Sequence, residues 1–265
     1  MKTAPLLLAL ALVAANARAT GHLADVEVID RDTGAPVATH WHHGDCWVAG
    51  RPGGRYSIAI QSRIGERLLA VTSVDGTNVV SGETASVLQT GYVFGPYQSY
   101  QIDGWRKSDR EVAAFTFTSP PDSYAARTGR GDSIGVVGVA LFRERIARAP
   151  IVEKSVAEAG GARRDEVSAM ASEARARGAA PAASAPQLGT GHGERLASVV
   201  DHTDFDRAST VPSETIRIRY DSFEHLVAMG VIRPTPAVPS RPEPFPASAS
   251  GYVPDPPDTG WQGLR

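Results

Sequence analysis

The stretch from Arg67 to Gly91, RLLAVTSVDGTNVVSGETASVLQTG, constrains the fold more than any other. An apolar run from Leu68 to Val74 meets Asp75-Gly76, and a second β-prone run follows through Val79 and Val80. Asp-Gly suits the positive φ angles of a two-residue hairpin turn. The first run is apolar on both alternating faces: Leu69 and Val71 on one, Leu68, Ala70 and Val74 on the other. A strand of that kind is covered twice and sits inside a sheet. Asp75 and Asn78 read as an exposed tip, and Gly76 as the residue that sets the register.

The rest of the first half reads as strands of similar length between turn residues. Val26–Asp30 and Pro36–His42 flank Asp32-Thr33-Gly34, and Cys46–Val48 forms a third short strand. From Arg55 to Gln61, Tyr56, Ile58 and Ile60 share one face, while Ser57, Ala59 and Gln61 share the other. Val112–Phe117 alternates likewise until Pro120-Pro121-Asp122, and Ile134–Phe142 is uncharged and reads as buried. No long helical pattern interrupts residues 24–142, which argues against a parallel α/β sheet. The expected class is mainly β: an antiparallel β-sandwich, or partly open barrel, with a small C-terminal α/β appendage and a disordered tail.

The ends read differently. Lys2, the apolar Leu6–Ala15 and Ala17-Arg18-Ala19 have the form of a secretory signal cleaved after Ala19. The β domain then occupies 20–145, and an Ala-rich helix or linker 146–187, with Glu173 and Arg177 as a favourable i,i+4 pair. Residues 188–232 form the appendage, expected to dock on the β domain. In it Ile216, Ile218 and Tyr220 make a strand, Asp221 caps a short helix, and Gly230 ends it. Residues 233–265 carry nine of the 19 prolines and read as the tail. The formal charge of −2 and the lack of a basic stripe leave no footprint for nucleic acid. Cys46 is the single cysteine, so no internal disulfide exists.

Several groups carry candidate chemistry. His40 and His42 project to one face of a strand and make a workable pair for copper or zinc, with Asp45 or Cys46 as a third ligand. His43 points the other way. Tyr92, Tyr97, Tyr100 and Arg106 lie in a bend-rich aromatic segment and form a candidate ligand platform, while Phe94 and Trp105 suit a core. Gly189–Gly193 has glycines but not the spacing of a phosphate loop, and reads as a connection. Arg130-Gly131-Asp132-Ser133 spells an adhesion tripeptide that needs an exposed loop tip. Asp75 and Asp103 have no placement that suggests a tuned acid/base pair. There is no Gly-x-Ser-x-Gly elbow and no His-Glu-x-x-His.

Across the segments Gly54–Ala85, Gly91–Phe115, SYAARTG and GVVGVALF, the chain resembles a group of uncharacterised exported bacterial proteins. The later LGTGHGERLASVV, FDRAS and IRYDSFEHLVAMGVI stretches resemble the C-terminal portion of that group. The resemblance carries no activity, cofactor or site residue, and leaves the His-rich hairpin outside it. These readings lead to an exported, non-catalytic binding or structural module of the bacterial envelope, with protein or glycan as partner. The alternatives are a periplasmic copper- or zinc-binding protein using the His40–Cys46 hairpin, and a hydrolase with its site between Tyr97 and Arg106.

Overall fold

The computed structural model describes residues 19–145 and 187–233. The expected signal peptide, Ala-rich linker and Pro-rich tail fall outside them, apart from their boundary residues. The strands in chain order are β1 (Ala19–Thr20), β2 (Ala24–Asp30), β3 (Thr39–His42), β4 (Asp45–Gly50), β5 (Arg55–Ser62), β6 (Leu68–Val74) and β7 (Thr77–Asn78). They continue as β8 (Tyr92–Phe94), β9 (Ser99–Ile102), β10 (Gly104–Arg106), β11 (Glu111–Thr118), β12 (Val136–Arg143), β13 (Gly189–Ala197) and β14 (Glu214–Ser222). Two short helices are α1 (Tyr124–Arg127) and α2 (Phe223–Ala228). Among the described residues no helix is long and apolar enough to cross a membrane.

The strands form two seven-stranded sheets packed face to face. One runs β1-β2-β5-β11-β10, with β9 on β5 and β13 on β11. The other runs β3-β4-β14-β12-β6-β7, with β8 on β6. Pairing is antiparallel except between β4 and β14. The alternation read in the sequence becomes the inter-sheet core. Tyr56, Ile58 and Ile60 of β5 are fully buried, as are Leu68, Ala70 and Val74 of β6. Phe94 and Trp105 join the same cluster. Each of the Val, Leu, Ile and Phe side chains among them contributes about 1.5–3 kcal/mol when taken out of water.

β6 is covered on both faces, as its two apolar registers predict. Its outer residues Leu69 and Val71 pack with Ala140 and Phe142 of β12 under Val93 and Phe205. Asp75 (φ 50) and Gly76 (φ 70) both hold the positive φ of the expected turn. The return strand is short, β7 ending at Asn78, because the Asn78 side chain accepts from the amides of Val80 and Ser81 and turns the chain away. Likewise Pro36 forms only an isolated bridge with Ile29, so the strand read from Pro36 begins at Thr39.

Residues 188–232 supply strands to both sheets. β13 adds beside β11, and β14 lies between β4 and β12. The stretch Gly189–Gly193, read as a connection, is therefore the start of a strand. Ser222, not Asp221, caps α2 by accepting from the His225 amide. Asp221 is instead buried, accepting from Gln187 N at 3.1 Å and lying 2.6 Å from His225 Nδ1. Leu226 of α2 packs with Val231 and Ile232 over Trp47 and Ala49.

Candidate functional site

The aromatic segment lines a groove of about 380 Å³. One wall is β8, with Tyr92 and Val93, beside Tyr100 of β9 and Arg106 of β10. The other is the stretch from Val199 to Thr203, which follows β13. The bend-rich sequence makes this possible. A methyl group at Gly104 would sit 2.0 Å from the Ala113 carbonyl oxygen, so only glycine lets β10 approach β11 this closely. That approach buries Trp105 and leaves Arg106 at the groove.

Arg106 holds the two walls together. Its Nε and Nη2 donate to the Tyr92 hydroxyl at 3.3 and 3.1 Å. Nη1 donates to the carbonyls of Ser198 at 2.6 Å and Ser108 at 3.3 Å, and Nη2 also to Ser198 Oγ at 3.0 Å. All five guanidinium N–H groups are thus engaged within the chain. Tyr100 OH lies 3.2 Å from the same Ser198 Oγ, and the Tyr92 and Tyr100 rings are 5.8 Å apart. Burial raises the Tyr92 phenol above its ordinary value, and Arg106 partly offsets this. At the rim, His202 Nε2 lies 3.0 Å from Asp109 Oδ1, with both side chains solvent-exposed. Arg67 pins the strap further along, donating to Thr203 Oγ1 at 3.0 Å and the Asp204 carbonyl at 2.9 Å.

Three of the four sequence-predicted platform residues, Tyr92, Tyr100 and Arg106, come together here. Tyr97 does not: it sits in a turn with φ 55 and is 66% exposed away from the groove. Arg106 is a clamp rather than a free cation. The sequence reading missed Ser198, Asp109 and His202. No motif marks them: Ser198 and His202 reach the groove only through the pairing of β13 with β11, and Asp109, in the turn between β10 and β11, gains its partner only when His202 arrives.

The His-rich hairpin splits its candidate ligands. His43 (φ 49) and Gly44 (φ 84) form its turn, placing His42 opposite Asp45 and His40 opposite Trp47. Asp45 Oδ2 accepts from Arg219 Nε at 2.9 Å. Cys46 points the other way, into the inter-sheet core, and burial pushes its thiol up to about 11. It cannot share an ion with His40 and His42. Among the described residues no group of three or more His, Cys, Asp or Glu is placed to hold a metal ion. In the adhesion tripeptide, the Arg130 side chain is turned inward onto the Gly82 carbonyl at 3.0 Å, while Asp132 is exposed.

Asp75 departs most from its sequence reading. The turn is buried, not an exposed tip. Asp75 Oδ1 accepts from Gly135 N at 2.9 Å and Tyr220 OH at 2.5 Å, and Oδ2 from Thr190 N at 2.8 Å. Thr190 Oγ1 lies 2.7 Å from Tyr220 OH and 2.6 Å from Tyr56 OH. With the carboxylate ionised, the hydroxyls of Tyr56, Thr190 and Tyr220 donate in series toward it, and each of these three O–H groups finds an acceptor. Burial nevertheless raises the carboxyl from 3.8 to about 6, against the opposing effect of these donors. The cluster ties β5 and β13 of one sheet to β14 and the β6–β7 turn of the other. Asp103 is also raised, mainly by burial, with Arg31 and Arg106 opposing.

Comparison of the chain with family models, curated proteins and solved structures finds no match.

Proposed function

We propose that this chain is an exported, non-catalytic binding module of the bacterial envelope, working in the periplasm or outside the cell, with a glycan or protein segment as ligand. The observation that carries the reading is the groove between β8–β10 and residues 199–203, lined by a pair of tyrosine rings and by hydrogen-bonding groups. Flat aromatic faces with polar groups at the edge suit ligands that are apolar on one face and polar at the margin. The Arg106 clamp favours binding over chemistry. Its donors are spent on holding the walls, which preorganises the groove at no further cost on binding. The Asp109–His202 pair at the rim is open to solvent rather than enclosed in a water-excluding site.

The test is binding of purified chain 20–265 to isolated bacterial cell-wall polymer and to soluble oligosaccharide and peptide panels. Saturable binding that Tyr100→Ala weakens roughly tenfold, or by about 1.4 kcal/mol, with unchanged melting, supports the reading. The groove also lies where the hydrolase alternative places its site. Turnover of a defined substrate, abolished by a point mutation that leaves the fold intact, would overturn the non-catalytic reading.

A further inference from the structure

A second concavity, of about 330 Å³, lies at the end of α1 and is lined by Lys107, Asp122, Tyr124, Arg127, Thr128 and His192. We propose that it binds a tetrahedral oxyanion, the phosphate or sulfate group of an ester-bearing ligand.

Three basic side chains reach this concavity from three separate elements. Lys107 follows β10, Arg127 ends α1, and His192 lies on β13. The centre is the Tyr124 ring, packed 4.8 Å from the Trp105 ring and 6.1 Å from the His192 ring. Lys107 Nζ stands 5.5 Å from the Tyr124 centroid. Among the described residues, neither Lys107 nor Arg127 has an ion pair or a side-chain hydrogen bond. This contrasts with Arg51, Arg55, Arg67, Arg143 and Arg219, each paired with a carboxylate. The single acidic group here, Asp122, already accepts from Ser119 Oγ at 2.7 Å. Thr128 Oγ1 is also committed, to the Tyr124 carbonyl and to Arg130.

The uncommitted donors are therefore the Lys107 ammonium and the Arg127 fork, and beside them stands the His192 ring, which also faces the backbone of His192 and Gly193. A point charge beside a planar fork is the combination that recognises phosphate-like groups. The local field agrees with this. His192 is held below its ordinary value by desolvation first and then by Lys107, with Arg195 contributing, and Lys107 is itself lowered by desolvation and Arg195. Arg195 lies 3.6 Å from Glu111 and so is partly neutralised. An oxyanion seated among these groups relieves the repulsion.

The experiment follows amide and His192 ring resonances during titration with inorganic phosphate, sulfate and acetate at constant ionic strength. The expected result is one saturable site for phosphate or sulfate, with a dissociation constant of roughly 1 mM. The shifts centre on Lys107, Tyr124 and His192, and the His192 pKa rises on binding. Whichever of phosphate and sulfate binds more tightly identifies the ester class. The exposed double variant Lys107→Ala with Arg127→Ala should weaken binding at least tenfold without changing the melting temperature. Non-saturating shifts, equal binding of acetate, or undiminished binding by the double variant would each overturn the proposal.

Discussion

Replacing Asp75 by Asn tests the buried cluster because it keeps the shape and changes only donors and charge. Three donors converge on the carboxylate: Gly135 N and Tyr220 OH on Oδ1, and Thr190 N on Oδ2. In the better of its two orientations an asparagine keeps the two bonds at Oδ1. It then turns an N–H toward the N–H of Thr190. The buried amide left unpaired costs about 1–3 kcal/mol, and the new amide donor adds to this. Against that, the variant no longer places a charge in the core. A rise from 3.8 to about 6 is worth ~3 kcal/mol against the ionised form. The two effects oppose each other near neutrality, so the informative quantity is the change with pH.

The folded chain holds the Asp75 proton to higher pH than the unfolded chain. Its contribution to stability is therefore fully present below 3.8 and is lost as pH rises through about 6. From pH 7 down to pH 5 wild type gains about 1.4 kcal/mol from this group, and Asp75→Asn gains nothing from it. The deficit of the variant relative to wild type, from urea unfolding at both pH values, should therefore widen on acidification by about that amount. Using the difference cancels the other titrating groups. A deficit that narrows toward pH 5 would place the folded pKa below that of the unfolded chain. It would show that the converging donors outweigh desolvation, refuting the argument.

Other perturbations address other parts of the fold. Gly76→Val should destabilise by roughly 1–3 kcal/mol, since residue 76 has φ 70 and a Cβ would meet Ser133 Cβ at 2.7 Å. Wild-type thermal stability in that variant would contradict the turn. Cys46, with its thiol pushed up to about 11 inside the core, should resist alkylation at pH 8 and react only in denaturant; rapid labelling of the folded protein would disprove its placement. Arg106→Met should release the strap, raising hydrogen exchange at Ser198 and Val200, whose amides bond the carbonyls of Arg110 and Asp109. Unchanged exchange would mean that the backbone pairing alone holds it.

Local patterning was enough to read much of the sandwich. The alternation of Tyr56, Ile58 and Ile60 and the two apolar registers of Leu68–Val74 are statements about faces, and a sheet enforces faces residue by residue. Asp75-Gly76 was legible for the same reason, because positive φ is a property of two adjacent residues. The aromatic groove was legible in part: Tyr92, Tyr100 and Arg106 are close in sequence and stay close in space. Tyr97 left the group because its own turn swings it out.

What the tertiary structure alone decided involves residues far apart in the chain. Nothing near Asp75 announces that Thr190 and Tyr220 will donate to it, so a turn residue that looks solvent-facing becomes the buried link between two sheets. Gly189–Gly193 carries no strong strand pattern, and becomes a strand because β11 offers it an open edge. Cys46 leaves the histidines because its face of β4 is the one that the opposite sheet covers, which the sequence around the hairpin does not show. The physical reason is common to all three. Propensity and periodicity act over a few residues, whereas burial, desolvation and hydrogen-bond partnership depend on which distant strand arrives alongside.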